Sequence, residues 1–456
     1  NVMVGYQAGR CITSGCANVL IGEAAASQIT TGCNNVAVGI EAMQQNTTGK
    51  CNVSVGSCAG KSNSSEENVF IGHTAGCTNT LGGNVFVGSR AGKNSYASQN
   101  NTILGRSAFE NGRGSYNVIL GRQSMNSTNQ SQNSNVAIGF QAMCKNETSE
   151  NTAVGNCAGW YNTTGSIVAF GNQALVNNTT GVCNTAVGYR ALCSNTTATH
   201  NTAVGHCSLG KNTIGLHNTA VGAVSLCKNT TGSANTAVGY QSQHSGTTGC
   251  KNTSFGAFAS TTNTTGRCNV SVGWGALYTN KCSNNTGVGV CSLYNNTTAT
   301  GNTAIGRQSL ALNTIGNNNT AVGQNALYSN TTGFTNTVVG RNAGYGITTG
   351  TTNTIIGDAS ACTLTTGCYN TFVGANHTPS AVGVLFEYVI GYSGTGKGSN
   401  TFFATGANGA YNGNNSASWA TTSDKKIKKN ITENNTGLEK INQIQVRNFE
   451  YKTPDE

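Results

Sequence analysis

Twenty-four times between residues 1 and 391 the chain returns to the pentad Asn-Thr-Ala-Val-Gly or a near variant. The copies start at intervals of 16 to 18 residues, most often 17. That period is too short for a helical hairpin and suits one coil of a β-solenoid, where each repeat stacks on the next. The expected fold is therefore all-β: a parallel β-solenoid, or β-roll, of about 24 coils. Composition agrees. Only 9% of residues are charged, against about 25% in ordinary globular proteins, and with 61 Gly and 2 Pro the chain turns often without proline. An all-helical protein is excluded, and no apolar run approaches the roughly 18 residues of a membrane span.

Positions are numbered here from the Asn that opens each copy. Position 2 is almost always Val or Thr and position 4 is Val, Ile, Leu or Phe, as in Val85/Val87 and Thr320/Val322. Alternate residues of a strand share a face, so these β-branched side chains are expected to form the layer that each coil adds to the core. Position 3 is variable and often small. Position 5 is Gly in all 24 copies, which implies a backbone too tight for a Cβ. Position 8 is Ala or Ser in the first 22 copies and becomes His377 and Gly394 in the last two, so close packing is expected there. Asn-Thr-Thr-Gly or Asn-Thr-Ile-Gly at positions 12 to 15, as in Asn46–Gly49 and Asn212–Gly215, reads as a turn with positive φ at Gly.

Asn opens 22 of the 24 copies, Ile167 and Glu387 being the exceptions. Stacked in parallel, these amides are expected to form a hydrogen-bonded ladder along the axis. At about 4.8 Å per strand the shaft would be roughly 115 Å long. One such coil has a thin core and gains by burying a second face against a partner, so a homotrimer is expected. Asn35-Val36-Ala37-Val38-Gly39-Ile40-Glu41-Ala42 resembles the head repeats of trimeric autotransporter adhesins. The resemblance runs loosely over residues 1–391 and implies a left-handed, trimeric parallel β-roll. Those heads have a shorter repeat and are seldom rich in cysteine.

Eighteen cysteines fall at a few repeat positions. Equivalent positions on neighbouring coils would lie about 4.8 Å apart, inside the Cα range of a disulfide. The candidate pairs are Cys16–Cys33, Cys58–Cys77, Cys144–Cys157, Cys193–Cys207 and Cys250–Cys268. Zinc is the alternative, but the Cys-x-x-Cys pairs and histidine partners it needs are missing, and no metal or other cofactor is expected. Oxidised cysteines would place the protein in an extracellular compartment. Asn-x-Ser/Thr sequons recur in the position-12 turn, and Asn46, Asn162, Asn195, Asn229, Asn263, Asn296 and Asn330 are candidate glycosylation sites.

The net charge of +10 is spread thinly: residues 1–391 hold 17 basic and 9 acidic side chains, too sparse a pattern to track phosphates. Nucleic acid is not an expected partner, nor is membrane insertion. Residues 392–422 read as a Gly/Asn-rich linker or β-prism-like stem with Phe402, Phe403, Tyr411 and Trp419. Residues 423–456 are denser in charge. Their opening, Ser423-Asp424-Lys425-Lys426-Ile427-Lys428-Lys429-Asn430-Ile431, resembles the start of the self-cleaving intramolecular chaperone domain that ends many phage tail spikes, tail fibres and endosialidases. The resemblance implies a trimerisation domain in which Ser423 attacks the preceding peptide bond with help from Lys428. The sequence stops at Glu456, where most of such a domain would still follow, so either the domain is truncated or cleavage happens elsewhere; opening at Asn1 inside the repeat pattern, the chain is expected to be a processed or truncated piece.

No site for substrate turnover is apparent. His73, His200, His217, His244 and His377 do not cluster, and Glu41, Glu66, Glu67 and Glu110 offer none of the paired carboxylates that a polysaccharide-cleaving spike needs. The expectation is a structural protein and not an enzyme, apart from single-turnover self-cleavage at Ser423. It would be a disulfide-stapled, glycosylated, extracellular fibre acting as a surface appendage or adhesive stalk, self-associating as a trimer or end to end as a filament. Its expected ligand is a cell-surface glycan or receptor. The alternative is a receptor-binding tail fibre on a virion.

Overall fold

A computed structural model describes residues 1–127, 132–405, 410–413 and 420–421. Twenty-four short strands, β1 (Val2–Val4) to β24 (Glu387–Ile390), lie one above another. Each is parallel to the next and in register with it, so that Val2 faces Val19, Met3 faces Leu20 and Val4 faces Ile21. Twenty-three turns of a parallel β-solenoid thus separate the first strand from the last, and the described residues contain no helix. Among the described residues, accordingly, no helix is long and apolar enough to cross a membrane. The opposite wall of each coil is also hydrogen-bonded coil to coil, through Ala26 N–H to Ala42 O (2.8 Å), Gln28 N–H to Gln44 O (3.1 Å) and Thr30 N–H to Thr47 O (2.8 Å).

The strands face the reverse of the expected way. Position 3 points into the coil and is buried, as Leu20, Ala37, Phe70 and Ala203 show, while positions 2 and 4 point outward. The core is built from position 3, the small residue at position 8 and the side chain at position 9. Positions 3 and 9 compensate each other in volume. Phe70 and Phe86 stand over Gly76 and Gly92, whereas Ala186 and Ala203 stand over Leu192 and Leu209. In most coils a large residue at one of these positions is matched by a small one at the other, because the interior at one level holds a limited volume, so steric fit outweighs the greater hydrophobicity of Val and Ile at positions 2 and 4.

The amide ladder forms as expected. Asn18 Oδ1 accepts the backbone N–H of Asn35 and its Nδ2, both at 3.0 Å, and the same Nδ2 donates to Gly49 O at 2.8 Å. At Ile167, where the ladder has no amide, β11 (Ile167–Phe170) and β12 (Asn184–Val187) each gain a fourth residue, and backbone pairing takes over. Glu387 is also buried, its carboxylate accepting the N–H groups of Ser380 (3.1 Å) and Gly398 (2.8 Å).

Position 5 has φ near +130°, and a Cβ on Gly22 would sit 2.6 Å from the carbonyl oxygen of Gly39 in the next coil. Only glycine fits such a stack. The turn chemistry falls elsewhere than expected. Left-handed residues occur at positions 7, 9 and 17, as at Ala24, Ala26 and Asn34, and neither Asn46 nor Gly49 is among them. Asn46 instead accepts the Gly49 N–H through its Oδ1 at 2.8 Å. Glycine at position 15 is required by close approach, since a Cβ on Gly32 would meet Gly49 O at 2.5 Å.

The parallel ladder passes the boundary expected at 391. β25 (Thr401–Ala404) pairs parallel with β24, and β26 (Ala410–Gly413) and β27 (Ala420–Thr421) then add antiparallel strands. Ser423, Lys428 and the rest of 423–456, like Trp419, lie outside the described residues.

Candidate functional site

The interior of the coil is packed with side chains, and against it each described residue singled out from the sequence can be placed inside or outside. All 18 cysteines are thiols in the structure. Cys16 and Cys33 occupy position 16 of adjacent coils, and the Cys16 thiol donates to Cys33 Sγ at 2.6 Å. Among the described residues this is the one cysteine pair whose sulfurs are in hydrogen-bonding contact. The bond holds the Cys16 thiol above the ordinary range and, with the Cys16 backbone N–H, draws Cys33 below it. Cys33 should therefore be alkylated ahead of Cys16 near neutral pH, and oxidised glutathione should join the two. Time-resolved alkylation and an unreduced peptide map check both; Cys16 reacting first would contradict the geometry.

The other pairs are less well formed. Cys58 and Cys77, Cys144 and Cys157, and Cys193 and Cys207 stand at positions 7 and 10 of adjacent coils, close enough to sense each other's charge. Burial raises Cys77, Cys144, Cys157 and Cys207. Cys58 is engaged by Glu41 Oε2 at 3.4 Å, which also takes Lys61 Nζ at 2.8 Å. Cys193 donates to Gly210 O at 3.2 Å. Cys250 and Cys268 are one position out of register and meet through their backbones, Cys268 N–H donating to Cys250 O at 3.1 Å. The Cys250 sulfur is turned to Ser233 N–H and Thr248 O.

The asparagines named as glycosylation candidates lie inside the coil and not in exposed turns. Asn46, Asn162, Asn195, Asn229, Asn263, Asn296 and Asn330 are all completely buried at position 12. Most join a second internal amide ladder: Nδ2 of Asn195 donates to Asn178 Oδ1 at 2.7 Å, that of Asn229 to Asn212 Oδ1 at 2.8 Å, and that of Asn330 to Asn313 Oδ1 at 2.7 Å. A folded coil leaves no room for a glycan on that nitrogen. The ladder breaks where position 12 becomes Gly246 or Ile347, and there the Oδ1 atoms of Asn229 and Asn330 are left without a donor. Phase within the repeat was the available signal, since position 12 alternates between Asn and plainly apolar residues such as Ile29 and Leu364.

The histidines are not all apart. His200 and His217 stack one coil apart, with ring centroids 4.9 Å apart, and His206 stacks on Tyr189 at 5.3 Å. His377 is buried, its Nδ1 3.3 Å from Ser360 Oγ, and desolvation lowers its pKa. Among the described residues no group of three His, Cys, Asp or Glu side chains could hold a metal ion.

Two outer features escaped the sequence reading. The first is an apolar stripe at position 4, flanked at position 2 by Val in ten coils and Thr in thirteen. It carries Val4 (57% exposed), Leu104 (50%), Phe170 (52%), Phe255 (43%) and Ile356 (42%), and no charged residue occurs at either position in any coil. The second is a ladder of rings at position 10. Tyr278 stacks on Tyr294 with centroids 5.0 Å apart and planes 5° apart, and Tyr328 on Tyr345 at 5.1 Å and 4°. Compared with known proteins, the chain matches no family model, no curated protein and no solved structure.

Proposed function

We propose that the chain is the shaft of an extracellular fibre, a surface appendage or adhesive stalk that assembles side by side from copies of itself as a homotrimer. The observation that carries this is the apolar stripe. It follows 23 turns at about 4.8 Å each and is about 7 Å wide, so each chain offers roughly 800 Å², the per-partner area of a standard interface. Position 4 keeps an apolar side chain in every coil, while position 2 is Thr in 13 of the 24, so the face is an unbroken apolar row flanked by methyl and hydroxyl groups and free of charge. A partner that covers it along its whole length needs the same rise and the same length, which a second copy has. Cysteines poised to join neighbouring coils at Cys16 and Cys33 support an oxidising destination.

Sedimentation equilibrium tests the assembly. The intact chain should sediment at three times its 46.7 kDa mass. Phe255 and Val272 face outward on paired strands of neighbouring coils, so Phe255→Asp with Val272→Asp should dissociate the complex without unfolding the coil. A monomeric intact chain would overturn the proposal.

A further inference from the structure

The ladder of rings at position 10 has a missing rung. Tyr278 and Tyr294 form two rungs and Tyr328 and Tyr345 two more, but the coil between them places Ala311 at that position. Tyr294 and Tyr328 are thus two coil steps apart, about 10 Å. Between them lies a cleft of about 160 Å³ lined by both tyrosines, Trp274, Cys291, Asn295 and Gln308, with Ala311 and Leu312 as its floor. A ring entering there would lie about 5 Å from each tyrosine, the spacing the ladder already uses and one within the range of favourable ring contacts.

The chemistry of the rim selects among rings. Among the described residues the side-chain amides of Asn295 and Gln308 have no hydrogen-bond partner, although each carries both donors and an acceptor. No charged side chain lines the cleft. A purely aromatic guest would leave those amides unused, and the lining itself offers an ionic guest no counter-charge, Arg307 lying outside it beside Cys291. A pyranose satisfies both walls and rim, because its C–H faces lie against the tyrosines and its equatorial hydroxyls reach the amides. We propose that the cleft between Tyr294 and Tyr328 is a binding site for one pyranose unit of a neutral glycan. The inference rests on the adhesive reading of the shaft.

The test uses the full chain with cellohexaose, mannohexaose and chitohexaose as probes, read by calorimetry and by alkylation of Cys291. At least one hexasaccharide should bind and slow the alkylation of Cys291 while leaving Cys33 unaffected. Ala311→Tyr supplies the missing rung from the protein itself, at a position where tyrosine is native in the coils immediately before and after it. It should weaken binding more than tenfold with the sedimenting mass unchanged, and Tyr328→Ala should weaken binding as well. Failure of all three sugars to bind, or binding that survives Ala311→Tyr, would overturn the site. Binding by a chain that sediments as a monomer would leave the site standing and remove the trimeric fibre instead.

Discussion

Asn35→Ala should lower stability by about 2–6 kcal/mol, and Asn218→Ala should cost less although the two residues stand at the same position of the repeat. Asn35 Nδ2 is the side-chain donor to Gly49 O (2.8 Å), and its Oδ1 is the acceptor for the Asn52 N–H (3.1 Å). Alanine leaves both buried groups unpaired, at about 1–3 kcal/mol each. Asn218 has the matching bonds to Gly232 O (2.8 Å) and from Asn235 N–H (3.0 Å), but Gly232 O also accepts from Asn229 Nδ2 at 2.9 Å. One orphan is left there, with an expected cost of about 1–3 kcal/mol. Since each coil touches only its neighbours, hydrogen exchange read by mass spectrometry should show lost protection centred on coils 18–67 for the first variant. Protection in residues 302–318 should be unchanged. Equal losses for the two variants would mean that backbone satisfaction is not what the ladder provides.

The same comparison shows why parts of the fold were legible in the sequence. Asn at position 1 and Gly at position 5 recur in nearly every coil because each contacts its own equivalent one step along, so any exception is felt by two neighbours. Such contacts fix the period, the parallel register and the first amide ladder. The sense of the strand was not legible from the same pattern. Alternation says that Val36 and Val38 share a face and that Ala37 takes the other, and hydrophobicity assigns the larger pair to the core. The structure does the opposite, because the width of the coil is set by what must lie across it. The signal lay in a pairing six residues apart, Phe70 with Gly76 and Ala203 with Leu209, which a position-by-position reading does not compare. The sequons misled for a related reason. Asn-Thr-Thr-Gly is a plausible exposed turn taken alone, and only stacking turns its asparagine inward. Conversely, the in-register cysteines at 16 and 33 were legible because register alone decides whether equivalent positions meet.

Phe86→Ala should destabilise its coil by about 3–5 kcal/mol, and the decisive measurement is whether Gly92→Leu restores what it removes. The Phe86 ring lies 5.1 Å from that of Phe70 and fills the space above Gly92, where a Cβ would come within 2.5 Å of the ring. Gly92→Leu alone should therefore be destabilising through overpacking, by about 1–3 kcal/mol or more. The left-handed backbone at position 9 does not forbid leucine, since Leu192 and Leu209 adopt φ of 50° there. The double variant recreates the Ala186/Leu192 level within the Phe86 coil. It should be more stable than Phe86→Ala alone, giving a favourable coupling of at least about 2 kcal/mol in a double-mutant cycle. The coil at Asn101 sets the limit of the rule. It carries both Ile103 and Phe109, and position 12 there is Gly112, beside the Phe109 ring. Volume is thus shared among three inward positions and between neighbouring levels, as where Ile167 of the next coil reaches over Gly159. Additive costs in the cycle would mean that each level adapts by moving its backbone, and the reversed sense of the strand would then need a cause other than interior width.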